Sequence, residues 1–188
     1  YSKCIIATGS SPTTVGFPKD CGYEPLVLHS MDDALRMKAA LENPQCEHVL
    51  VSGASMVALK IVEACLAQGK RVTLVGMNDH VLDFNALPEA AVRFERNLEA
   101  KGVAFKLGQT IQKVCVKPCE GHPEGRVLEV SFSNGDTEEF DEIAVAHGMK
   151  NNLGFIKPGT LDRDQGLLVD EFMRTSNPDV YAVGDVAQ

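Results

Sequence analysis

The feature that most constrains the fold is a short apolar strand that runs through a glycine turn directly into a long apolar helix. The turn is Ser52-Gly53, and the helix ends at Gly69. The same alternation then continues with another strand, another helix and a third strand. In order along the chain, these elements are expected at 48–51, 56–68, 71–75, 87–101 and 103–107. This order predicts a βαβαβ unit, whose right-handed crossovers require a parallel sheet covered by helices.

A further helix precedes this unit. Ser30 and Asp33 form a capping-box pattern, and apolar residues at helical spacing follow as far as Asn43-Pro44. The pattern predicts a helix of about three turns. Residues 11–28 are rich in proline, glycine and charged residues, so we interpret them as a connection.

The pattern changes after Gly108, where apolar residues alternate with polar ones. Such alternation predicts an antiparallel meander, in which Asn134-Gly135 forms a type I′ turn before a strand at 137–140. A buried strand follows at 141–146. The sequence therefore predicts an α/β fold: a Rossmann-like three-layer domain with a parallel sheet, helices on one side and an antiparallel β-meander on the other.

The charge and the hydropathy exclude several classes of partner. The 18 lysines and arginines against 26 aspartates and glutamates give a net charge of −8, which opposes binding to nucleic acid or to an anionic membrane surface. No apolar stretch approaches the roughly 18 residues of a membrane span, and the N-terminal residues lack the layout of a signal peptide. We expect a soluble, cytoplasmic protein whose partners are small molecules.

The cysteines and histidines form no recognisable motif. The six cysteines are expected to be reduced thiols, because a chain of 188 residues without secretory signals needs no disulfide framework. Cys115 and Cys119 would lie about 13 Å apart in an extended strand, beyond disulfide reach unless Pro118 bends the chain. The histidines share no metal-ligand spacing with the cysteines, so we predict no metal site. They are His29, His48, His80, His122 and His147.

The glycine turn is the most informative chemical signal. The run Gly53-Ala54-Ser55-Met56-Val57-Ala58 stands where a G-x-G-x-x-G motif lets backbone N–H groups approach a pyrophosphate. Ser55 adds a hydroxymethyl group where a phosphate would come closest, whereas alanine at the third glycine position is an accepted variant. A buried crossover without a ligand is the alternative interpretation.

The segment after the second strand lacks the usual selector of the coenzyme. A dinucleotide site normally offers Asp or Glu to the adenosine ribose there, or an Arg to a 2′-phosphate. This chain has Gly76-Met77-Asn78 instead, so charge does not distinguish NAD from NADP and adenosine affinity should be weak. Asn78 would either hydrogen-bond the ribose or act only as a turn residue.

Three separated segments resemble the FAD-dependent pyridine nucleotide-disulfide oxidoreductase superfamily. Residues 1–12, YSKCIIATGSSP, resemble the segment that leaves the flavin domain, and residues 47–107 resemble the inserted NAD(P)-binding domain. Residues 175–187, TSNPDVYAVGDVA, resemble the segment that returns to the flavin domain. The resemblance implies an FAD/NAD(P)-binding fold in which NAD(P)H passes hydride to flavin in the intact protein.

The resemblance also implies contacts with FAD. Ala7, Thr8 and Gly9 would lie along the FAD-binding segment, while Gly184 and Asp185 would approach the ribityl and pyrophosphate region of the cofactor. An Asp after a buried strand is a suitable acceptor for a hydroxyl group.

The same resemblance implies a division into domains. Residues 1–28 would be a flavin-domain segment with its connection, 29–150 the NAD(P)-binding domain, and 151–188 the return segment to the flavin domain. The family's own FAD fingerprint would precede Tyr1, so we expect an excised module that is inactive alone. Its partner would be the rest of its own flavin domain.

Strands at the ends of such a module would be left with unpaired edges. We expect residues 4–7 and 180–183 to pair with each other or with a neighbouring chain, and the latter would give a homodimer. One more short strand is expected at 166–170.

The chain departs from the family pattern near the nicotinamide. Lys60 stands where many members carry a Glu; it would either contact the nucleotide or pair with Glu63 along the helix. Residues 146–151 resemble the family's A-x-G-x-R-P-N stretch without its Arg and Pro, and Gly148 would still allow close approach of the nucleotide.

Two functions from different classes follow. The chain is predicted to be the NAD(P)H-binding module of an FAD-dependent oxidoreductase. The alternative is a degenerate domain that acts as a scaffold without binding nucleotide, because Ser55, Gly76 and Lys60 depart from the pattern at three contact points.

Overall fold

A computed structural model describes residues 1–19, 21–120 and 125–188 of the chain. His122 lies outside the described residues. The chain divides into two compact units, one of Tyr1–Thr13 with Gly148–Gln188 and one of Thr14–His147. We call these the smaller and the larger unit.

The elements alternate as the sequence predicts in the larger unit and are short in the smaller one. The strands are β1 (Cys4–Ile6), β2 (Ser10–Pro12), β3 (His48–Ser52), β4 (Arg71–Gly76), β5 (Val103–Leu107), β6 (Ile111–Pro118), β7 (Arg126–Phe132), β8 (Thr137–Phe140), β9 (Glu142–Val145), β10 (Met149–Asn151) and β11 (Val180–Ala182). The helices are α1 (Met31–Glu42), α2 (Met56–Ala67) and α3 (Pro88–Glu99), with a short 3₁₀ helix at Gly184–Val186. No helix formed by the described residues is long and apolar enough to cross a membrane.

The larger unit is built on a four-stranded parallel sheet in the order β5-β4-β3-β9. Side chains alternate across it, as strand geometry requires. Val49 and Val51 of β3 belong to the core formed with the helices, whereas Leu50 belongs to the core formed with the antiparallel sheet β6-β7-β8. The predicted three-layer α/β fold is confirmed.

Helix α1 begins at a side-chain cap formed by Ser30 and Asp33. Ser30 caps α1 through its Oγ, which accepts from the Asp33 N–H at 3.1 Å, and the Asp33 carboxylate accepts from the Ser30 N–H at 2.8 Å. The predicted capping box is therefore confirmed. Met37 and Leu41 anchor α1 in the core next to the sheet.

The hairpin between β7 and β8 differs from the prediction. The N–H of Gly135 donates to the Phe132 carbonyl, and the N–H of Phe132 donates to the Asp136 carbonyl, which encloses a three-residue loop. Gly135 has φ of +90°, but Asn134 does not adopt a positive φ. A type I′ turn needs positive φ at both central residues, so that prediction is wrong; the longer loop places the left-handed residue after the turn.

Within the segment 11–28, predicted to be a connection, Phe17, Tyr23 and Leu26 pack within the larger unit. Leu26 is buried and adds to the outer edge of β9: its N–H donates to the Ile143 carbonyl, and the Val145 N–H donates to the Leu26 carbonyl. The Tyr23 hydroxyl donates to Glu142 at 2.6 Å, and Phe17 is buried beside the antiparallel sheet. The compact units consequently divide after Thr13 and after His147, whereas the predicted domain boundaries follow residues 28 and 150.

The smaller unit contains two pairs of short strands. β1 pairs with β11 in parallel, which confirms the predicted pairing of the two segments, and β10 pairs with β2 in antiparallel register. The predicted strand at 166–170 is wrong. Within this range, only Leu167 forms β-bridges, which are isolated and pair it with Arg163 and Ala187. The neighbouring N–H groups donate elsewhere, that of Leu168 to the Asp162 carbonyl and that of Val169 to the Gln188 carbonyl.

Candidate functional site

The turn after β3 can be formed only by glycine at Gly53. Gly53 has φ of +122°, and its N–H donates to the Val75 carbonyl at 2.8 Å. A Cβ on this residue would lie 2.5 Å from the Ala146 carbonyl oxygen. This close approach brings the end of β9 against the start of α2.

The start of α2 exposes backbone donors. Ser55 caps the helix, since its Oγ accepts from the Ala58 N–H at 3.4 Å. Its hydroxyl also donates to the Ala146 carbonyl at 3.4 Å, so this group is directed toward protein. Within the described chain, the N–H groups of Met56 and Val57 have no acceptor, as is usual in the first turn of a helix. Together with the helix dipole they form a site suited to an anion.

The end of β4 lies against this turn. A Cβ on Gly76 would be 3.0 Å from the Ala54 Cβ, so a larger residue at Gly76 requires a small shift. Met77 follows and is 75% exposed. The carbonyl of Asn78 accepts from the Gly108 N–H at 2.9 Å, which joins the segment after β4 to the turn after β5.

Lys60 lies one turn into α2 and pairs with Glu63. The Lys60 Nζ is 2.7 Å from the Glu63 Oε2, both side chains are exposed, and the ion pair lowers the pKa of Glu63. The pairing that the sequence offered as one alternative is therefore present. A role for Lys60 at the nucleotide stays a prediction.

Sequence reasoning missed the environment of His147. Its Nδ1 lies 2.8 Å from the Val15 carbonyl and its Nε2 lies 2.8 Å from the Ser52 Oγ. A carbonyl only accepts, so Nδ1 carries the proton and the serine hydroxyl donates to Nε2. Burial lowers the pKa of His147, which agrees with this neutral form. The sequence carries no local signal for this contact, because it depends on β3 and β9 becoming neighbours in the sheet.

The predicted FAD-binding residues are brought together within the smaller unit. The Val183 N–H donates to the Ile6 carbonyl at 3.0 Å, so the chain continues from neighbouring strands into residues 7–9 and 184–185. Asp185 accepts from the Ser10 Oγ at 2.7 Å.

Asn152 holds the 7–9 segment in place. Its side-chain Nδ2 donates to the Thr8 carbonyl at 2.9 Å, and its backbone N–H donates to the Gly9 carbonyl at 3.0 Å. Sequence reasoning missed Ser10 and Asn152. Gly148 belongs to the same unit, has φ of +93°, and accepts from the Thr13 N–H.

Metal ligands do not converge in the part of the chain that the structure describes: no group of three or more His, Cys, Asp or Glu side chains could hold a metal ion. All six cysteines are free. Burial raises the pKa of Cys46 to about 11 and that of Cys65 to about 12, so these thiols are poor nucleophiles.

Comparisons with known proteins agree with this architecture. The sequence matches the family described as pyridine nucleotide-disulphide oxidoreductase over residues 1–188. It is 32% identical over 187 residues to a rubredoxin-NAD(+) reductase of Pseudomonas putida, covering 100% of this chain and 46% of that protein. It is 30% identical over 191 residues to a nitric oxide reductase FlRd-NAD(+) reductase of Aeromonas salmonicida, again covering 100% of this chain and 46% of the relative.

A solved structure gives the same result for the fold. The NAD-dependent persulfide reductase of A. fulgidus is 27% identical with a TM-score of 0.85, and the match covers 100% of this chain and 33% of that one. The chain spans about half the length of the curated relatives that it matches.

Proposed function

The chain belongs to the pyridine nucleotide-disulphide oxidoreductase family, and from this premise we propose that its larger unit binds NAD(P)H as part of an FAD-dependent oxidoreductase. The observation that carries the proposal is the start of α2, where Met56 and Val57 present backbone N–H groups without an acceptor in the described chain. These donors follow a glycine turn at the carboxyl edge of a parallel sheet, where ligands of open α/β folds bind.

The residues of the turn fit a diphosphate. Ser55 was expected to crowd the phosphate, but its hydroxyl is directed to the Ala146 carbonyl and to the Ala58 N–H. Ala54 and Gly76 lie close to each other, and neither has a polar side chain. No polar side chain of these two residues therefore projects from this edge of the sheet. We therefore assign the cradle for the diphosphate to residues 53–58.

The chain's own residues would position the coenzyme. When bound, NAD(P)H supplies a hydride and FAD accepts it. The helix N-terminus would hold the diphosphate, and the neutral imidazole of His147 would hold the end of β9 beside the turn through Ser52. Lys60 keeps its charge paired with Glu63, which avoids an isolated cation on α2.

The smaller unit would contribute to the flavin site of the longer protein. Asp185 has one carboxylate oxygen bound by Ser10, and its other oxygen is available to a hydroxyl group of FAD. Thr8 and Gly9, held by Asn152, would line the same site. The activity of the whole protein, an FAD-dependent NAD(P)H oxidoreductase, follows from this assignment.

The experiment is a pair of substitutions at Ser55, measured by titration calorimetry with NADH in the longer protein. Aspartate and glycine both serve as helix N-caps, so both variants should fold. Ser55→Asp places an anion against the diphosphate and should abolish detectable binding, whereas Ser55→Gly should bind at least as tightly as the wild type. Equal affinity of the two variants would contradict the assigned cradle. No binding by the wild type at millimolar NADH or NADPH would support the scaffold alternative.

A further inference from the structure

Helix α3 carries a buried carboxylate, that of Glu95. Only 9% of this residue is exposed, and no other aspartate or glutamate among the described residues is buried to that extent. Acidic side chains are almost never fully buried unless they are paired, because removing a carboxylate from water is costly without compensating hydrogen bonds. The groups that donate to Glu95 therefore indicate what this side chain does.

The Glu95 carboxylate binds two consecutive residues of the segment that follows β4. Its Oε1 accepts from the Val81 N–H at 2.9 Å. The Nδ1 of His80 lies 3.3 Å from Oε1 and 3.4 Å from Oε2, and this nitrogen is the donor because a carboxylate only accepts. These hydrogen bonds hold the backbone after β4 against α3.

The next residue, Leu82, has a strained backbone. Its φ is +58°, in the left-handed region that residues other than glycine seldom adopt. Its carbonyl accepts from the N–H groups of Asn85 at 2.6 Å and Ala86 at 2.8 Å. A residue in such a conformation persists only where its surroundings fix it. Glu95 fixes Leu82 from one side by holding Val81, and the turn to Ala86 fixes it from the other.

Leu82 in turn binds the glycine turn after β3. Its N–H donates to the Ala54 carbonyl at 2.8 Å. A trans peptide directs its N–H opposite to its C=O, so a fixed Ala54 carbonyl also fixes the direction of the Ser55 N–H. No group in the described chain accepts from that N–H. It is therefore a further oriented donor beside those of Met56 and Val57.

We propose that Glu95 is a positioning residue for the nucleotide site, and that it acts through Val81 and Leu82 on the peptide that follows Ala54. The inference rests on the proposed diphosphate cradle at residues 53–58. Glu95 lies on α3, outside that cradle, so its role is to fix the backbone donors and not to touch the coenzyme. A neutral acceptor of the same length would serve equally, because the bond to the Val81 N–H does the positioning and the charge does not.

The test compares Glu95→Gln with Glu95→Asp in the longer protein, with the dissociation constant for NADH measured by titration calorimetry. Glutamine keeps an acceptor of the same length without the charge, whereas aspartate keeps the charge but is shorter by one methylene. We expect Glu95→Gln to bind NADH within about twofold of the wild type, and Glu95→Asp to bind it about five- to tenfold more weakly. Tighter binding by Glu95→Gln with unchanged binding by Glu95→Asp would show that the charge acts directly, and would overturn the proposal.

The control is Glu99→Asp, which removes the same methylene from an exposed glutamate one turn further along α3. It should leave the affinity for NADH within about twofold of the wild type, as is usual for surface substitutions. An effect equal to that of Glu95→Asp would mean that any weakening of α3 is sufficient, and would overturn the proposal. Wild-type affinity in Glu95→Asp would do the same while the nucleotide site stands.

A second measurement needs no substitution. Coupling between two sites is reciprocal, so saturating NADH should slow hydrogen exchange at Val81 and Leu82 by at least about fivefold in the wild-type longer protein, measured by mass spectrometry. Amides of β7 in the antiparallel sheet are the internal control. Unchanged exchange at these two residues in a protein that binds NADH would overturn the positioning role alone. Failure of the wild type to bind NADH or NADPH would instead refute the proposed function, and the inference with it.

Discussion

At the scale of single residues, Gly53 couples the fold to the site. Its φ of +122° is rarely adopted by other residues, and a side chain there would collide with the Ala146 carbonyl at 2.5 Å. We predict that Gly53→Ala lowers the free energy of unfolding by more than about 3 kcal/mol, measured by urea denaturation. Gly69→Ala is the matched control: Gly69 has φ of +68° with open space around it, so the cost should be about 1 kcal/mol. Similar losses for both would show that the contact with Ala146 is unimportant.

One buried histidine, His48, and one half-buried histidine, His147, make stability depend on pH. Burial lowers the pKa of His48 and of His147 below the ordinary value of 6.5, which the unfolded chain retains. As the pH falls through 6.5, the unfolded chain takes up protons that the folded chain does not, so the free energy of unfolding decreases. Carboxyl groups with a lowered pKa, such as that of Asp33, change the free energy of unfolding only at more acidic pH.

This dependence can be measured by urea denaturation between pH 7.5 and pH 5.5. We predict that stability falls across this window in the wild type and falls less steeply in His147→Asn. The slope is the readout, because the substitution also removes hydrogen bonds to Ser52 and Val15 and lowers stability at every pH. Parallel pH profiles for the two proteins would contradict the role of His147.

At the scale of elements, Leu26 and Tyr23 hold the segment before α1 against β9. The Tyr23 hydroxyl donates to Glu142 at 2.6 Å and accepts from the Ile143 N–H at 3.0 Å, while Arg126 binds the other oxygen of Glu142 at 2.9 Å. Burial, then the neighbouring Glu142, raises the pKa of Tyr23, so the phenol remains a donor.

Removing this hydroxyl should loosen the segment. Tyr23→Phe leaves the Ile143 N–H unpaired and removes one donor from Glu142, which should cost about 1 to 3 kcal/mol in the free energy of unfolding. The Arg126 guanidinium, 5.0 Å from the ring centroid, keeps its aromatic contact in this variant. Limited proteolysis should then cut within 14–28 earlier than in the wild type. Unchanged cleavage and stability would mean that Leu26 alone holds the segment.

The sequence predicted the elements whose signals are local. The capping box of α1 lies within four residues, and the alternation of strands and helices from His48 to Leu107 follows a repeating pattern. Prediction from the sequence failed where the residues that fix an element are distant in the chain, and where the element itself is short. Leu26 extends the sheet only because Ile143 and Val145 are there to bond it, and β2 and β10 have three residues each, too few to show a period.

The candidate site shows the same division. The glycine turn and its capping serine were predictable, because strand, turn and helix are contiguous. The hydroxyl direction of Ser55 was not, because it depends on the Ala146 carbonyl, 91 positions away in the chain. The pairing of Ser52 with His147 likewise depends on two strands becoming neighbours.

At the scale of the whole molecule, the smaller unit leaves apolar surface and a strand edge uncovered. β1 pairs with β11 on one side, and no other strand among the described residues pairs with its opposite edge. Ile5 is 69% exposed, and the core that the described residues form in this unit has five buried members: Ile6, Ile156, Leu167, Ala182 and Val186. Such an edge is expected to bind a further strand. We propose that the rest of the flavin domain of a longer protein covers it.

Hydrogen exchange measured by mass spectrometry tests this proposal. In the chain produced alone, amides of β1 should exchange at least about tenfold faster than in the longer protein, because an uncovered edge opens locally. Amides of β3, which lies between β4 and β9 and is buried along its whole length, should be protected in both samples and serve as the internal control. If β1 instead becomes protected as the concentration of the lone chain rises, a second copy covers the edge, as in a homodimer. If β1 is equally protected in the longer protein and in the lone chain at every concentration, neither the rest of the flavin domain nor a second copy covers the edge.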